Sequence, residues 1–266
     1  MTPIFKKGQR TVDKIYRNIS VLPVCSKCFE RLMEKQITPY IDKYLSPYLC
    51  GYRKGYSAQH ALLSLLEKWK ESLDNNGYAG GVLMDLSKAF DTLNHELLIA
   101  KLDAYGFSKP ALKLIHDYLK NRWQRVKMNT SFSSWTELLL GVPQDSALGP
   151  LLFNIYVNDL FWLNEETDIC NYADDTTPHA CDIEIQSLIR RLEHDCLLAI
   201  EWFDNNYMKL NEDKCHFLLA GTKNEHFFAN VGDAKIWESN EEYLLGITID
   251  RNLKFNAHLK GLCKKV

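Results

Sequence analysis

The sequence predicts an α+β fold, on three observations. Apolar residues at helical spacing alternate with short β-leaning runs bounded by Gly, Pro and Asn. Two adjacent acids, Asp174 and Asp175, sit between two such runs, residues 167–172 and 176–181, as the tip of a tight hairpin. A third acid, Asp85, ends a short apolar run at 82–85, just ahead of a helical pattern.

Composition bounds the answer before any motif does. The chain has 266 residues, 46% of them hydrophobic, enough for a sizeable core and too apolar for a disordered chain. No apolar run reaches the roughly 18–20 residues of a membrane span, and the first residues lack the apolar centre of a secretory signal. An intracellular location, nucleus or cytoplasm, is therefore expected, and no membrane partner. Eight cysteines without framework spacing read as reduced thiols. The net charge of −2 hides an asymmetry: residues 1–72 hold 13 Lys and Arg against 6 Asp and Glu, and the remainder 19 against 28. A second basic patch spans 109–127, with Asp117 as its lone acid. Basic regions beside an acidic centre suit a protein that grips a polyanion and holds metal ions.

In order, residues 1–20 read as an extended lead-in, with alternation at 15–21. A helix follows at 24–41, with Phe29, Leu32, Met33 and Ile37 at helix spacing. Cys25 and Cys28 lie in its first turns. They lack the second ligand pair that zinc needs and read as buried structural thiols. A punctuated loop, 42–57, carries Arg53 and Lys54 between Gly51 and Gly55, and a helix at 58–73 follows. Residues 77–81 read as a turn and 82–85 as a strand. A helix runs from about 89 to 105, with His95 on its surface and Gly106 closing it. Next come a helix at 109–123, two strands at 124–128 and 135–140, and a turn-rich loop at 141–150 that opens an apolar helix, 151–163. Beyond the acidic hairpin are a long helix at 183–206, strand-like runs at 209–220, 227–236 and 243–249, and a helix from 256.

Two separate acidic sites at strand ends point to phosphoryl transfer with two metal ions. The motifs that surround them resemble a known family. Met84-Asp-Leu-Ser-Lys-Ala-Phe-Asp-Thr92, Gly141-Val-Pro-Gln-Asp-Ser-Ala-Leu-Gly-Pro150 and Tyr172-Ala-Asp-Asp175 occur in the order of the palm motifs of reverse transcriptases, specifically those of non-LTR (LINE-type) retrotransposons. Residues 19–30 and Gly51-Tyr-Arg-Lys-Gly-Tyr-Ser57 resemble that family's finger motifs. Leu210-Asn211 with Lys214, and Leu245-Gly-Ile247 with Asp250, resemble the motifs after its catalytic hairpin.

The resemblance implies a right-hand polymerase: fingers at 1–80, a palm with an antiparallel sheet backed by helices at 81–250, a fingers insertion near 107–140, and at 251–266 the start of a connection to a thumb that is absent or truncated. It implies an RNA-directed DNA polymerase acting on an RNA template, a DNA primer and dNTPs. Asp85, Asp174 and Asp175, with the Leu86 carbonyl, would hold two Mg²⁺ ions, or Mn²⁺ in their place. Lys214 would protonate the leaving pyrophosphate. Arg53, Phe90 and Gln144 would bind the nucleotide, Phe90 by excluding a 2′-hydroxyl. Lys54, Ser146, Gly149 and Tyr172 would contact template or primer. Two positions depart from the family: Asp145 stands where Gly is usual, and Asn18 where Pro is common. Asp resists backbone shapes that Gly allows, and its charge repels phosphates. The alternative is therefore a decayed or truncated copy that only binds nucleic acid.

Overall fold

The structure, a computed structural model, describes residues 1–5, 16–143, 145–222 and 226–264. Gln144 lies outside them, as does Ile15 at the start of the expected alternating run. In chain order the described elements are β1 (Thr2–Phe5), β2 (Tyr16–Ile19), α1 (Val24–Ile41), α2 (Ala58–Asp74), β3 (Tyr78–Leu83), α3 (His95–Ala104), α4 (Lys109–Leu119), β4 (Trp123–Gln124), β5 (Lys127–Met128), β6 (Ser131–Phe132), β7 (Thr136–Glu137), α5 (Gly149–Val157), β8 (Asp168–Tyr172), β9 (Asp175–Asp182), α6 (Ile185–Asn205), β10 (His216–Ala220), β11 (Phe228–Val231), β12 (Ala234–Ser239), β13 (Glu241–Leu244), β14 (Ile247–Asp250) and α7 (Asn256–Cys263). They form two compact units. One joins Met1–Leu45 to Lys88–Val157, the other Ser46–Ser87 to Asn158–Val266.

The first unit is mainly helical. Apolar α5 is its centre, with Leu152, Phe153, Ile155 and Tyr156 almost fully enclosed. Helices α1 and α3 pack against it, and α4 packs on α3. Helix α4 opens with Pro110, whose missing N–H costs nothing in a first turn. Strand pairs β1–β2, β4–β7 and β5–β6 are short and antiparallel.

The second unit is built on a sheet that has six strands among the described residues, in the order β11-β12-β10-β3-β9-β8. All neighbours are antiparallel except β10 and β12. Helix α2 covers one face and α6 the other. Gly80 and Gly81 in β3 make this possible, because successive residues of a strand face opposite sides. A Cβ on Gly80 would meet the Leu188 side chain of α6 at 3.1 Å, and one on Gly81 the Trp69 ring of α2 at 3.2 Å. The α2 side of the core gathers Leu62, Leu65, Trp69, Cys170 and Leu218. On α6, fully buried Asp195 accepts hydrogen bonds from the backbone N–H groups of Glu166 (3.1 Å) and Thr167 (2.7 Å) and from the Thr167 hydroxyl (2.7 Å). These bonds tie down the loop that launches β8.

Several expectations need correction. Residues 77–81 are not a turn: β3 begins at Tyr78 and takes both glycines inside it. The helix expected from 89 is a 3-10 turn, Ala89–Asp91, then a fresh start at His95, where the Asn94 side chain caps α3 by accepting from the Leu97 N–H at 3.0 Å. His95 is buried rather than on the surface. The helix expected at 109–123 ends at Leu119, so Trp123 belongs to β4. Residues 227–236 and 243–249 are not single strands but parts of hairpins, which turn at Gly232 (φ 62°) and at Leu245–Gly246 (φ 47° and 97°). Cys25 and Cys28 are exposed, not buried: α1 turns Glu30 and Met33 inward instead.

Candidate functional site

The acidic tip is a two-residue connection. Tyr172 at the end of β8 pairs with Asp175 at the start of β9, leaving Ala173 and Asp174 in the turn. Ala173 takes φ 59°, the left-handed region at the first central position, as in type II′ hairpin turns. Ala there is strained by about 1–2 kcal/mol. The surroundings hold it. Leu49 bridges to Asn171, and a Cβ on Gly51 would overlap the backbone of Ala173, so only Gly lets the 42–57 loop close onto the tip. The Asn171 amide donates to the carbonyls of Ala173 and Asp175, both at 3.1 Å. The tip is thereby fixed from inside, and Asp174 and Asp175 are exposed.

Asp85 follows β3, the neighbour of β9. The Met84 N–H donates to the Thr176 carbonyl at 3.0 Å, which sets Asp85 beside the start of β9. On its other side, the Asn211 N–H donates to the Asp85 carbonyl at 2.8 Å and buried Leu86 pairs with Leu210. Lys214 Nζ meets Asp85 Oδ2 at 3.0 Å, and Asn211 Nδ2 reaches the same oxygen at 3.4 Å. The sheet therefore brings Asp85 and the Asp174–Asp175 pair, far apart in sequence, to the ends of neighbouring strands. Desolvation, then the charges of Asp174 and Asp85, push the Asp175 pKa up to about 6. Among the described residues, no group of three or more His, Cys, Asp or Glu side chains is placed to hold a metal ion. The donor set is instead hard carboxylate oxygen in mutual repulsion, the chemistry that a divalent cation such as Mg²⁺ relieves. In the chemistry of their donors, these residues suit a divalent ion.

In the same unit, Arg53 turns back onto its own loop. Its Nη1 donates to the carbonyls of Ser46 (2.7 Å) and Leu49 (3.2 Å), and its guanidinium lies 4.3 Å from the Tyr56 ring centre. Lys54 is exposed and Tyr172 half-buried.

The first unit carries the other expected residues. Phe90 stacks on Phe153 of α5, with centroids 4.5 Å apart and planes at 20°. The 141–150 loop is laced to the same stretch. The Gly141 N–H donates to the Leu93 carbonyl (2.7 Å), the Val142 N–H to the Phe90 carbonyl (3.0 Å), and His95 Nε2 to the Gly141 carbonyl (2.7 Å). Asp145 is exposed at φ 64°, in the backbone region where Gly is at home. Ser146 is buried, and its hydroxyl accepts from the Gly149 N–H at 2.9 Å, fastening the start of α5. Sequence reasoning assigned no part to Glu30. It is fully buried on α1, and it accepts from the Tyr118 hydroxyl and the Ala147 N–H, each at 2.8 Å. An acid on the inner face of an amphipathic helix was the available signal, since buried carboxylates require partners.

Comparison with known proteins agrees with this arrangement. The sequence pattern of the family described as "Reverse transcriptase (RNA-dependent DNA polymerase)" matches residues 4–249. The chain is 27% identical over 271 residues to the RNA-directed DNA polymerase from mobile element jockey of Drosophila melanogaster, and 28% identical over 263 residues to the probable RNA-directed DNA polymerase from transposon X-element of the same fly. These matches take in 97% and 93% of this chain but 29% and 28% of the relatives, so the chain spans under a third of their length. In fold it is similar to a solved apo telomerase from Candida tropicalis, with a TM-score of 0.57 at 12% identity, covering 87% of this chain and 45% of that one. The palm-and-fingers α+β fold expected from the motifs stands, and with a family pattern running across nearly all its length, the chain belongs to the reverse transcriptase family.

Proposed function

We propose that this chain is the nucleotidyl-transfer core of an RNA-directed DNA polymerase, which joins a dNTP to a DNA primer's 3′-hydroxyl on an RNA template. The observation that carries this reading is the pairing of β3 with β9, which sets Asp85 beside the Asp174–Asp175 tip. Asp85 and Asp174 would hold two Mg²⁺ ions, with Asp175 and the Leu86 carbonyl assisting and Mn²⁺ as a substitute. Bound there, such ions supply charge neutralisation at the transferring phosphoryl group and a lowered pKa at the primer hydroxyl. Lys214, paired with Asp85, donates the proton that the leaving pyrophosphate takes up. Arg53 and Lys54 provide positive charge for the triphosphate and the strand backbone. Phe90, held flat on Phe153, bars a 2′-hydroxyl by bulk. Gln144 lines the nucleotide pocket, and Ser146, Gly149 and Tyr172 border template and primer.

Primer extension on an RNA template with Mg²⁺ tests this. Asp174→Asn is expected to lower the rate by at least about a hundredfold. A variant that extends as well as the parent would refute the metal assignment. Phe90→Ala is expected to raise ribonucleotide incorporation, and unchanged sugar selection removes that role. Asp145 favours a second reading, a copy that binds nucleic acid without extending it. Its signature is salt-sensitive RNA binding with no product.

A further inference from the structure

The strongest unassigned feature lies in the first unit, on the short strands after α4. A groove of about 680 Å³ opens there between the β4–β7 and β5–β6 pairs and the chain at residues 20–23. Trp123, Phe132 and Trp135 line it, and they are 59%, 50% and 57% exposed. Three large rings left in water within thirteen residues are costly unless something covers them. Arg122, Arg125 and Lys127 line the same groove, and among the described residues no Asp or Glu does. The Arg125 guanidinium lies 4.1 Å from the Phe132 ring centre and 4.7 Å from that of Trp135. Lys127 is 5.6 Å from the Phe132 ring, and Arg122 is 4.8 Å from that of Tyr118. Cations and ring faces are thus already interleaved. Pro143 also lines it, so the groove reaches the 141–150 loop.

We infer that this groove binds an unpaired stretch of the template strand, stacking its bases on Trp123, Phe132 and Trp135 and pairing its phosphates with Arg122, Arg125 and Lys127. A polyanion is favoured over a protein segment because every charged side chain in the lining is a cation, interleaved with exposed rings, in a chain whose net charge is −2. Rings accept any base, so the contact is indifferent to sequence, as a template contact must be. The identity of the strand rests on the polymerase reading. The stacking site does not.

The test uses the whole chain in EDTA, with a labelled short oligouridine RNA followed by fluorescence polarisation. Trp135→Ala is expected to weaken binding on the order of tenfold. Arg125→Gln is expected to weaken it and to flatten its dependence on salt. Trp135→Phe keeps a stacking face, so its recovery of affinity excludes misfolding as the cause. Equal binding by Trp135→Ala and the parent overturns the proposal, as does equal competition by a blunt RNA–DNA duplex, which has no free bases. A second arm places 5-iodouridine either in a template overhang or in an unpaired primer end. Cross-links from the overhang to residues 123–135 support the template. Cross-links there from the primer end alone, or cross-links only elsewhere, refute it. Binding at the groove without extension by the parent leaves this site standing and sinks the polymerase reading. Extension with no groove binding does the reverse.

Discussion

Asp145 is the residue that separates the two proposed readings. At φ 64° its backbone already has the shape that Gly adopts freely, and Asp is among the few other residues that reach it at modest cost. The substitution away from Gly therefore leaves the loop's path open and adds a charge. Under the polymerase reading, Asp145→Gly is expected to raise extension roughly tenfold by removing a carboxylate that would repel anionic substrates. No gain in a steady-state assay would mean that the charge is harmless there. Gly51 makes the opposite case. It tolerates no Cβ, because the backbone of Ala173 occupies that space. Gly51→Ala is expected to destabilise the fold by about 1–3 kcal/mol in urea unfolding and to shift the acidic tip. An unchanged midpoint would show that the contact yields.

Helix α1 carries a buried acid that its neighbours satisfy, and strand β9 a buried histidine that its surroundings hold neutral. Glu30 on α1 ties α4, through Tyr118, to the 141–150 loop, through Ala147. Glu30→Ala strands two buried donors and is expected to cost about 2–4 kcal/mol, while Glu30→Gln retains one acceptor and loses less. Equal losses in thermal unfolding would assign the effect to packing alone. On β9, His179 is buried, and its pKa is lowered to about 4, first by desolvation. Asp168 pulls the other way, and Lys68, ion-paired to Asp168 at 2.6 Å, adds to the lowering. The unfolded ring takes its proton near 6.5 and the folded ring only near 4, so stability falls as pH drops through that window. Asp175, at the other end of β9, acts with the opposite sign. Its raised pKa makes the folded chain bind a proton first, so acid relieves repulsion at the tip. Asp175 is exposed and screened, and below about 1 kcal/mol is expected from it. The buried histidine should dominate: a net loss of about 1–2 kcal/mol between pH 7 and pH 5, which His179→Gln flattens. A parent more stable at pH 5 would reverse the ranking.

For the whole molecule, the proposed ion site would couple ion binding to folding. Like charges on β3 and the β8–β9 tip repel in the ion-free chain, and a ligand bound only by the folded state stabilises it by mass action. Mg²⁺ at a hundred times its Kd is expected to add about 2.7 kcal/mol. At roughly 2–4 °C per kcal/mol, the melting temperature should rise by several degrees without nucleic acid and return with chelator. Asp174→Asn should abolish most of that rise, and an undiminished rise would place the ions elsewhere. The six-stranded sheet with α2 and α6 on its two faces is what makes such coupling work, since β3 and β9 cannot separate without exposing that core.

Most of the helices and the acidic hairpin were legible in the chain, because each depends on short-range patterns: apolar spacing and turn chemistry. Asp85, Asp174, Asp175 and Lys214 could be named from motif order. What the linear pattern could not reveal are facts of sheet pairing and close approach. Gly80 and Gly81 look like a turn until two helices press on β3 from opposite faces. Asn94 looks like a break until it caps a new helix. The distant partners of buried Glu30 lie 88 and 117 residues away, that of His95 46, and those of Asp195 28–30. Local preference covers only a few residues on either side, whereas a buried charge is settled by whichever distant donor the fold brings within hydrogen-bonding distance.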